Sequence, residues 1–212
     1  MKITPTIKEI IEQKIEEIKD EYQKTQGLIL TEGDLKCIIF SKLFALPEFA
    51  EKARTKDFDI CAIPIHSELS WYGEEDKLSI KPDITILDPE NLSIIHGLNG
   101  VPFPSKSCHF VGHAIIFEIK FIRDKTGITP TIFQGPIMND FNKIKGLFDR
   151  LSMQDGVKDT FCYFIIFNKT NKTCEEFDDF INRGQYNLPY SDYFKYIYVT
   201  GNVDFNYTEQ SL

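Results

Sequence analysis

The sequence lacks the features that mark membrane-spanning, secreted and disulfide-stabilised proteins. Its 212 residues contain no apolar run of the roughly 18 residues that a membrane span requires, and the first residues lack the apolar centre of a signal peptide. The five cysteines are odd in number and scattered along the chain, which is typical of reduced thiols and not of a disulfide framework. We therefore expect a cytoplasmic protein that does not associate with a membrane.

Nucleotide-binding and serine-hydrolase motifs are absent as well. Neither of the phosphate-binding patterns GxxxxGK[ST] and GxGxxG occurs, and there is no GxSxG nucleophile turn. Acidic residues outnumber basic ones by 32 to 24, which gives a net charge of −8. This balance argues against a large nucleic-acid footprint, because phosphate binding depends on lysine and arginine. An acidic protein can nevertheless carry a local basic cleft.

The spacing of apolar residues predicts a mixed α/β domain with elements in the order ααβββαβαβ. The predicted helices cover 5–24, 31–46, 138–153 and 174–183. The predicted strands cover 58–70, 80–87, 113–122, 161–167 and 196–200. Residues 71–76 have the composition of a hairpin turn, and residues 90–109 contain the glycines and prolines of a long loop.

An aspartate interrupts an isoleucine-rich predicted strand at position 83. Because strand side chains alternate between faces, Asp83 and Thr85 share one face and Ile84 lies on the other. Aspartate is a poor strand former, so its presence here costs stability. Either Asp83 is solvated near an edge or the start of the strand, or a function offsets that cost.

A glutamate and a lysine share one face of a very apolar predicted strand. Glu118 and Lys120 lie on the same face, flanked by Ile116 and Ile122. Burying such charges is costly unless they are paired or bind a metal. The alternative is an ordinary ion pair on a solvated sheet face.

The second predicted helix begins with another carboxylate, Glu32. On an ideal helix Glu32 falls in angle within the apolar stripe that contains Leu35 and Ile39, so we expect it to face the core. It either favours the positive end of the helix dipole or points across the sheet toward Asp83.

Together these residues resemble the signature of the PD-(D/E)XK nuclease superfamily, to which many restriction endonucleases belong. The first half of the signature matches Lys81-Pro82-Asp83, and the second half matches Glu118-Ile119-Lys120. The resemblance implies a restriction-endonuclease-like αβββαβ core over about 31–168, with a mixed central sheet flanked by helices. Residues 1–30 and 169–212 would then be an added N-terminal helix and a C-terminal αβ extension of a single domain.

The resemblance also implies roles for individual residues. Asp83 and Glu118 correspond to the metal ligands of the superfamily, and the backbone carbonyl of Ile119 often completes such a site. Lys120 corresponds to the catalytic lysine, and Glu32 to the carboxylate of the first core helix. One departure is the long separation between the two halves of the signature, caused by the segment 90–109.

The third helix of the superfamily core often adds a polar residue to the site, and Asp140 and Lys143 are the candidates here. The implied function is hydrolysis of DNA phosphodiester bonds with Mg²⁺ as the cofactor and Mn²⁺ as a substitute, in restriction, defence or repair. DNA is the expected partner, in preference to RNA, and the first helix either forms a homodimer or covers the sheet.

Two other interpretations stay open. The chain could be a catalytically silent module on the same fold that binds nucleic acid or protein, which the net charge of −8 favours. It could also be a structural protein in which the strand charges form only ion pairs.

Overall fold

A mixed five-stranded sheet lies at the centre of the computed structural model, which describes residues 4–57, 60–72, 78–93, 109–110, 112–153, 160–187 and 191–201. The helices are α1 (Pro5–Lys24), α2 (Glu32–Phe44), α3 (Pro47–Ala50), α4 (Pro130–Ile132), α5 (Met138–Met153) and α6 (Glu175–Asn187). The strands are β1 (Ala53–Arg54), β2 (Cys61–Ala62), β3 (Ile65–Ser67), β4 (Trp71–Tyr72), β5 (Leu78–Ile80), β6 (Ile84–Leu87), β7 (Leu92–Ser93), β8 (His109–Phe110), β9 (Ala114–Ile122), β10 (Thr160–Asn168) and β11 (Phe194–Thr200).

The order of strands in the central sheet is β11-β10-β9-β6-β3. β3, β6 and β9 pair antiparallel in sequence order, whereas β10 runs parallel to both β9 and β11. In this register Glu118 of β9 lies beside Phe164 of β10, and Phe117 lies opposite Ile84 of β6. The predicted mixed α/β class with a helix-flanked sheet is therefore confirmed.

Helices cover both faces of this sheet, because β9 and β10 are apolar on both sides. One face carries Phe117 and Ile119 and packs against buried side chains of α1 and α2. The other face carries Ile116 and packs against buried side chains of α5 and α6. Continuous apolar strands of this kind are expected where a sheet is covered on both faces.

The first two helices begin where the sequence predicts. Thr4 caps α1 by accepting a hydrogen bond from the backbone of Ile7, and Pro5 occupies the first turn. α2 begins with a capping box in which Thr31 and Asp34 each accept a hydrogen bond from the backbone of the other. The predicted helix over 138–153 is likewise confirmed as α5.

The predicted strand over 80–87 is wrong in one respect, because it is divided in two. Ile80 ends β5, which pairs with β4 in a separate two-stranded sheet, and β6 begins only at Ile84. Proline cannot donate a ladder hydrogen bond, so Pro82 marks the break between the two strands.

Three further predictions fall partly outside the described residues. Trp71 and Tyr72 belong to β4 and not to the predicted turn, and residues 73–77 lie outside the described parts of the chain. The predicted loop 90–109 contains β7 and the first residue of β8, while residues 94–108 are not described. The predicted strand 58–70 contains two short strands, β2 and β3.

The first helix contributes to the main apolar cluster. Ile11, Ile15, Ile18 and Tyr22 are almost completely buried in the cluster that also contains α2 and one face of β9. The division of the chain into a core and two additions stays a prediction. Of the helices in the described ranges, none is both long and apolar enough to cross a membrane.

We expect Ile15→Ala to lower the free energy of unfolding by about 2–5 kcal/mol, because the side chain is 1% exposed and its removal leaves a cavity. Gln13→Ala, an exposed position on the same helix, is the control and should change that free energy by no more than about 0.5 kcal/mol. Equilibrium denaturation in urea measures both. Equal, small effects would mean that α1 does not belong to the core.

Candidate functional site

The candidate site lies where the pairing of β6 with β9 ends. The backbone N–H of Asp83 donates to the carbonyl of Phe117 at 3.0 Å, and Pro82 has no N–H with which to continue the pairing. The backbone N–H of Ile119, two residues further along β9, donates to a side chain: Oδ2 of Asp83 accepts this hydrogen bond at 2.8 Å. Within the described part of the chain, the edge of β9 beyond Phe117 is thus bordered by a carboxylate and not by another strand.

Glu118 lies next to this edge and is 3% exposed. It stands on the face of β9 that packs against α5. Its Oε1 accepts a hydrogen bond of 3.1 Å from Nζ of Lys143 on α5. Its Oε2 is buried and has no hydrogen-bond partner among the described residues. A buried carboxylate oxygen without a partner is costly unless the group is protonated or bound to a cation.

Lys120 connects the two sides of the sheet. Its Nζ lies 2.6 Å from Oδ2 of Asp140 on α5 and 3.3 Å from both carboxylate oxygens of Glu32 on α2. Glu32 Oε2 also accepts a hydrogen bond of 3.4 Å from the backbone of Phe121. Residues from α2 and α5 can meet here because none of the described strands covers this edge of β9.

The predicted orientation of Glu32 toward the core is wrong. Its side chain is 43% exposed, because Glu32 is the first residue of α2 and the buried stripe begins only at Leu35. Its carboxylate lies against Lys120. Its negative charge nevertheless raises the pKa of Asp83, so it lies within electrostatic reach of that residue.

Burial is the largest influence on the pKa values of Asp83 and Glu118. Burial raises the pKa of Asp83, and the Ile119 N–H and Lys36 only partly counter it. Burial also raises the pKa of Glu118 to about 8; the nearby Lys143 lowers it, and the charges of Asp83 and Asp140 raise it further. Each of the two carboxylates would therefore gain from a cation placed between them.

Lys120 responds differently to its surroundings. Burial lowers the pKa of Lys120, but its hydrogen bond to Asp140 and the charge of Glu32 outweigh that effect, so the pKa lies above its ordinary value. Lys120 is therefore a cation at neutral pH, and it cannot serve as a proton acceptor there.

The structure brings all of the residues proposed from the sequence to one place. They come from α2, the start of β6, β9 and α5, and they are Glu32, Asp83, Glu118, Ile119, Lys120, Asp140 and Lys143. Sequence reasoning missed Lys36 and Glu68, which lie beside Asp83. The spacing of Lys36 four residues after Glu32 was a usable signal, because such residues share a helix face.

Mg²⁺ fits the donor groups at this edge. Asp83 and Glu118 offer carboxylate oxygens, and in a strand the carbonyl of Ile119 points to the same side as its N–H, toward Asp83. Mg²⁺ keeps several waters and uses only one or two protein carboxylates. In the described ranges no group of three or more His, Cys, Asp or Glu side chains is placed so that it could hold a metal ion, so an ion here would rely on the two carboxylates, the carbonyl and water.

Comparisons with protein-family models, with curated proteins and with solved structures find no match to this chain.

The raised pKa of Glu118 predicts that this residue lowers the stability of the folded state in a pH-dependent way. The folded state holds the proton of Glu118 up to about pH 8, whereas a glutamate in the unfolded chain loses it near the ordinary glutamate pKa of 4.5. The contribution of Glu118 to stability should therefore fall as the pH rises between these values, since at this group the unfolded state binds fewer protons than the folded state. Glu118→Gln cannot ionise, so its free energy of unfolding relative to wild type should be higher at pH 9 than at pH 5.

Chemical denaturation of both proteins at the two pH values measures this difference. Asp149→Asn, an exposed carboxylate on the same helix as Lys143, is the control and should show a much smaller change with pH. A Glu118→Gln difference that is the same at pH 5 and pH 9 would contradict the proposed burial of a protonated carboxyl.

Proposed function

We propose that this protein is a metal-dependent nuclease of the PD-(D/E)XK type that hydrolyses DNA phosphodiester bonds. The observation that carries the proposal is the meeting of the buried carboxylate of Glu118 and the partly buried carboxylate of Asp83 with the ion-paired Lys120 at the edge of β9. Expensive buried charges of this kind concentrate at functional sites.

The arrangement of elements supports the proposal. α2 is followed by the antiparallel strands β3, β6 and β9, then by α5 and by β10, which runs parallel to β9. This order corresponds to the helix, three strands, helix and strand of the αβββαβ core, with α1 before it and α6 and β11 after it. Fold alone does not define an activity, so the proposal also depends on the chemistry of the side chains at the site.

Asp83, Glu118 and the carbonyl of Ile119 are the groups that would hold Mg²⁺, with Mn²⁺ as a substitute. When bound at such a site, the ion polarises a phosphodiester and lowers the pKa of a coordinated water. Asp83 is already fixed for this task, because the Ile119 N–H occupies only its Oδ2 and leaves Oδ1 to a cation.

Lys120 would act as a cation and not as a general base. Its ammonium group, held by Asp140 and Glu32, can stabilise the negative charge that develops on the phosphate oxygens as water adds to phosphorus and the bond to the leaving oxygen breaks. Glu32 is the more exposed of the two partners, so it offers the proton lost by water a route to solvent.

A second candidate function is a catalytically silent module on the same fold, and one observation favours it. Each carboxylate of the site already lies within ion-pair distance of a lysine. Such pairs can neutralise the carboxylates of a charged site without a bound metal. This candidate requires a nucleic-acid or protein partner, and it requires that millimolar Mn²⁺ fail to bind.

The nuclease proposal predicts cleavage of plasmid or single-stranded DNA that depends on Mg²⁺ or Mn²⁺. Lys120→Ala should lower the rate of cleavage by about 100-fold or more, because the cation next to the reacting phosphate is lost. Its affinity for DNA, measured in Ca²⁺ by fluorescence anisotropy, should change far less, since one lysine is a small part of a DNA footprint.

Lys195→Ala is the matched control, because Lys195 is a strand lysine paired with Glu12 at the other edge of the sheet. It should cleave DNA at the wild-type rate. Cleavage that persists in both Lys120→Ala and Glu118→Ala would show that the activity arises elsewhere and would overturn the assignment.

A further inference from the structure

A third lysine, besides Lys120 and Lys143, lies at the candidate site next to Asp83. Lys36 lies on α2, one helical turn after Glu32, and its side chain is 22% exposed. Its Nζ lies 2.5 Å from Oε1 of Glu68 and 3.8 Å from Oδ1 of Asp83. This second oxygen of Asp83 is the one that the Ile119 backbone leaves open.

The position of Lys36 is tied to Asp83 through the backbone as well. The N–H of Glu68 donates a hydrogen bond of 3.1 Å to the carbonyl of Asp83. Glu68 has a φ of 54°, in the left-handed region that residues with a side chain adopt only at a cost. Glu68, Lys36 and Asp83 therefore form one local unit, in which Lys36 supplies the positive charge next to Asp83.

We propose that Lys36 is a substrate-positioning residue: it pairs with Asp83 while no divalent cation is bound, and it turns to a backbone phosphate of DNA when a cation takes its place. The inference rests on the proposed nuclease function, and it adds a residue that the superfamily signature in the sequence does not contain. The long, flexible stem of lysine allows its ammonium group to move between such positions.

The exchange follows from charge. A divalent cation on Asp83 Oδ1 cancels one of the two attractions on Lys36 and leaves only its hydrogen bond to Glu68, and the two nearby cations repel each other. A phosphate that shares the cation with Asp83 lies within a few ångströms of the former position of Lys36 and offers it a new anion. Binding of the cation and binding of DNA should therefore reinforce each other, and thermodynamic linkage makes this coupling reciprocal.

The charge-free variant Lys36→Met keeps much of the apolar stem and separates the two roles of the lysine. Without DNA it should bind Mn²⁺ more tightly than wild type, by about fivefold or more, because no ammonium group has to be displaced from Asp83. Titration calorimetry with MnCl₂ measures this affinity without any reference to cleavage.

The same variant should bind DNA more weakly. With Ca²⁺ present to prevent turnover, we expect the affinity for a fluorescent DNA duplex to fall by about fivefold or more and the slope of log affinity against log salt to shrink by about one. A merely structural role for Lys36 would not produce opposite changes in the affinities for metal and for DNA.

Lys42→Met is the matched control. Lys42 lies on the same helix, is 29% exposed and pairs with Glu21 at 2.5 Å. It should leave both affinities at the wild-type value. If Lys36→Met lowers the melting temperature, Lys36→Gln repeats the test with a polar side chain that carries no charge.

The outcomes distinguish this inference from the function on which it rests. Wild-type protein that binds Mn²⁺, together with Lys36→Met that binds Mn²⁺ and DNA with unchanged affinity, overturns the role of Lys36 and leaves the nuclease proposal intact. Wild-type protein that binds no Mn²⁺ overturns both.

Discussion

The pairing of β6 with β9 ends at Asp83, and this early end determines what surrounds Glu118 and Lys120. Pro82 has no N–H to donate to β9, and the N–H of Ile119 donates to the Asp83 carboxylate and not to a strand carbonyl. The uncovered edge lets Glu32 approach from α2 and Asp140 from α5 until both contact Lys120. If a strand continued along β9, it would separate the two helices and the site would not exist.

The charges that gather at this edge balance one another only in part. The lysines Lys36, Lys120 and Lys143 pair with the surrounding carboxylates, yet Glu118 keeps one buried oxygen without a partner in the described part of the chain and a pKa of about 8. Burial of an ion pair seldom stabilises a fold more than apolar packing would. The arrangement therefore favours a purpose other than stability, and a cation between Asp83 and Glu118 would relieve both carboxylates at once.

Much of the framework follows from the sequence because it depends on local patterns. Alternation along β9 placed Glu118 and Lys120 on the face that meets α5, and the capping box at Thr31 fixed the start of α2. What the sequence could not provide depends on tertiary contacts. Ideal helix geometry put Glu32 toward the core, but at the first turn its carboxylate reaches out to Lys120 instead. Helix spacing places Lys36 on the same face of α2 as Glu32, but its approach to Asp83 is a tertiary contact that this spacing does not predict.

The central claim is that Asp83 and Glu118 bind a divalent cation. Titration calorimetry with Mn²⁺ on wild type and on Asp83→Asn tests this claim most directly. The titration belongs at about pH 8 or above, because cation binding competes with the proton on Glu118. Our account predicts a single-site isotherm for wild type, with release of protons, and its loss in the variant. An absence of binding by wild type, or equal binding by both proteins, would contradict it.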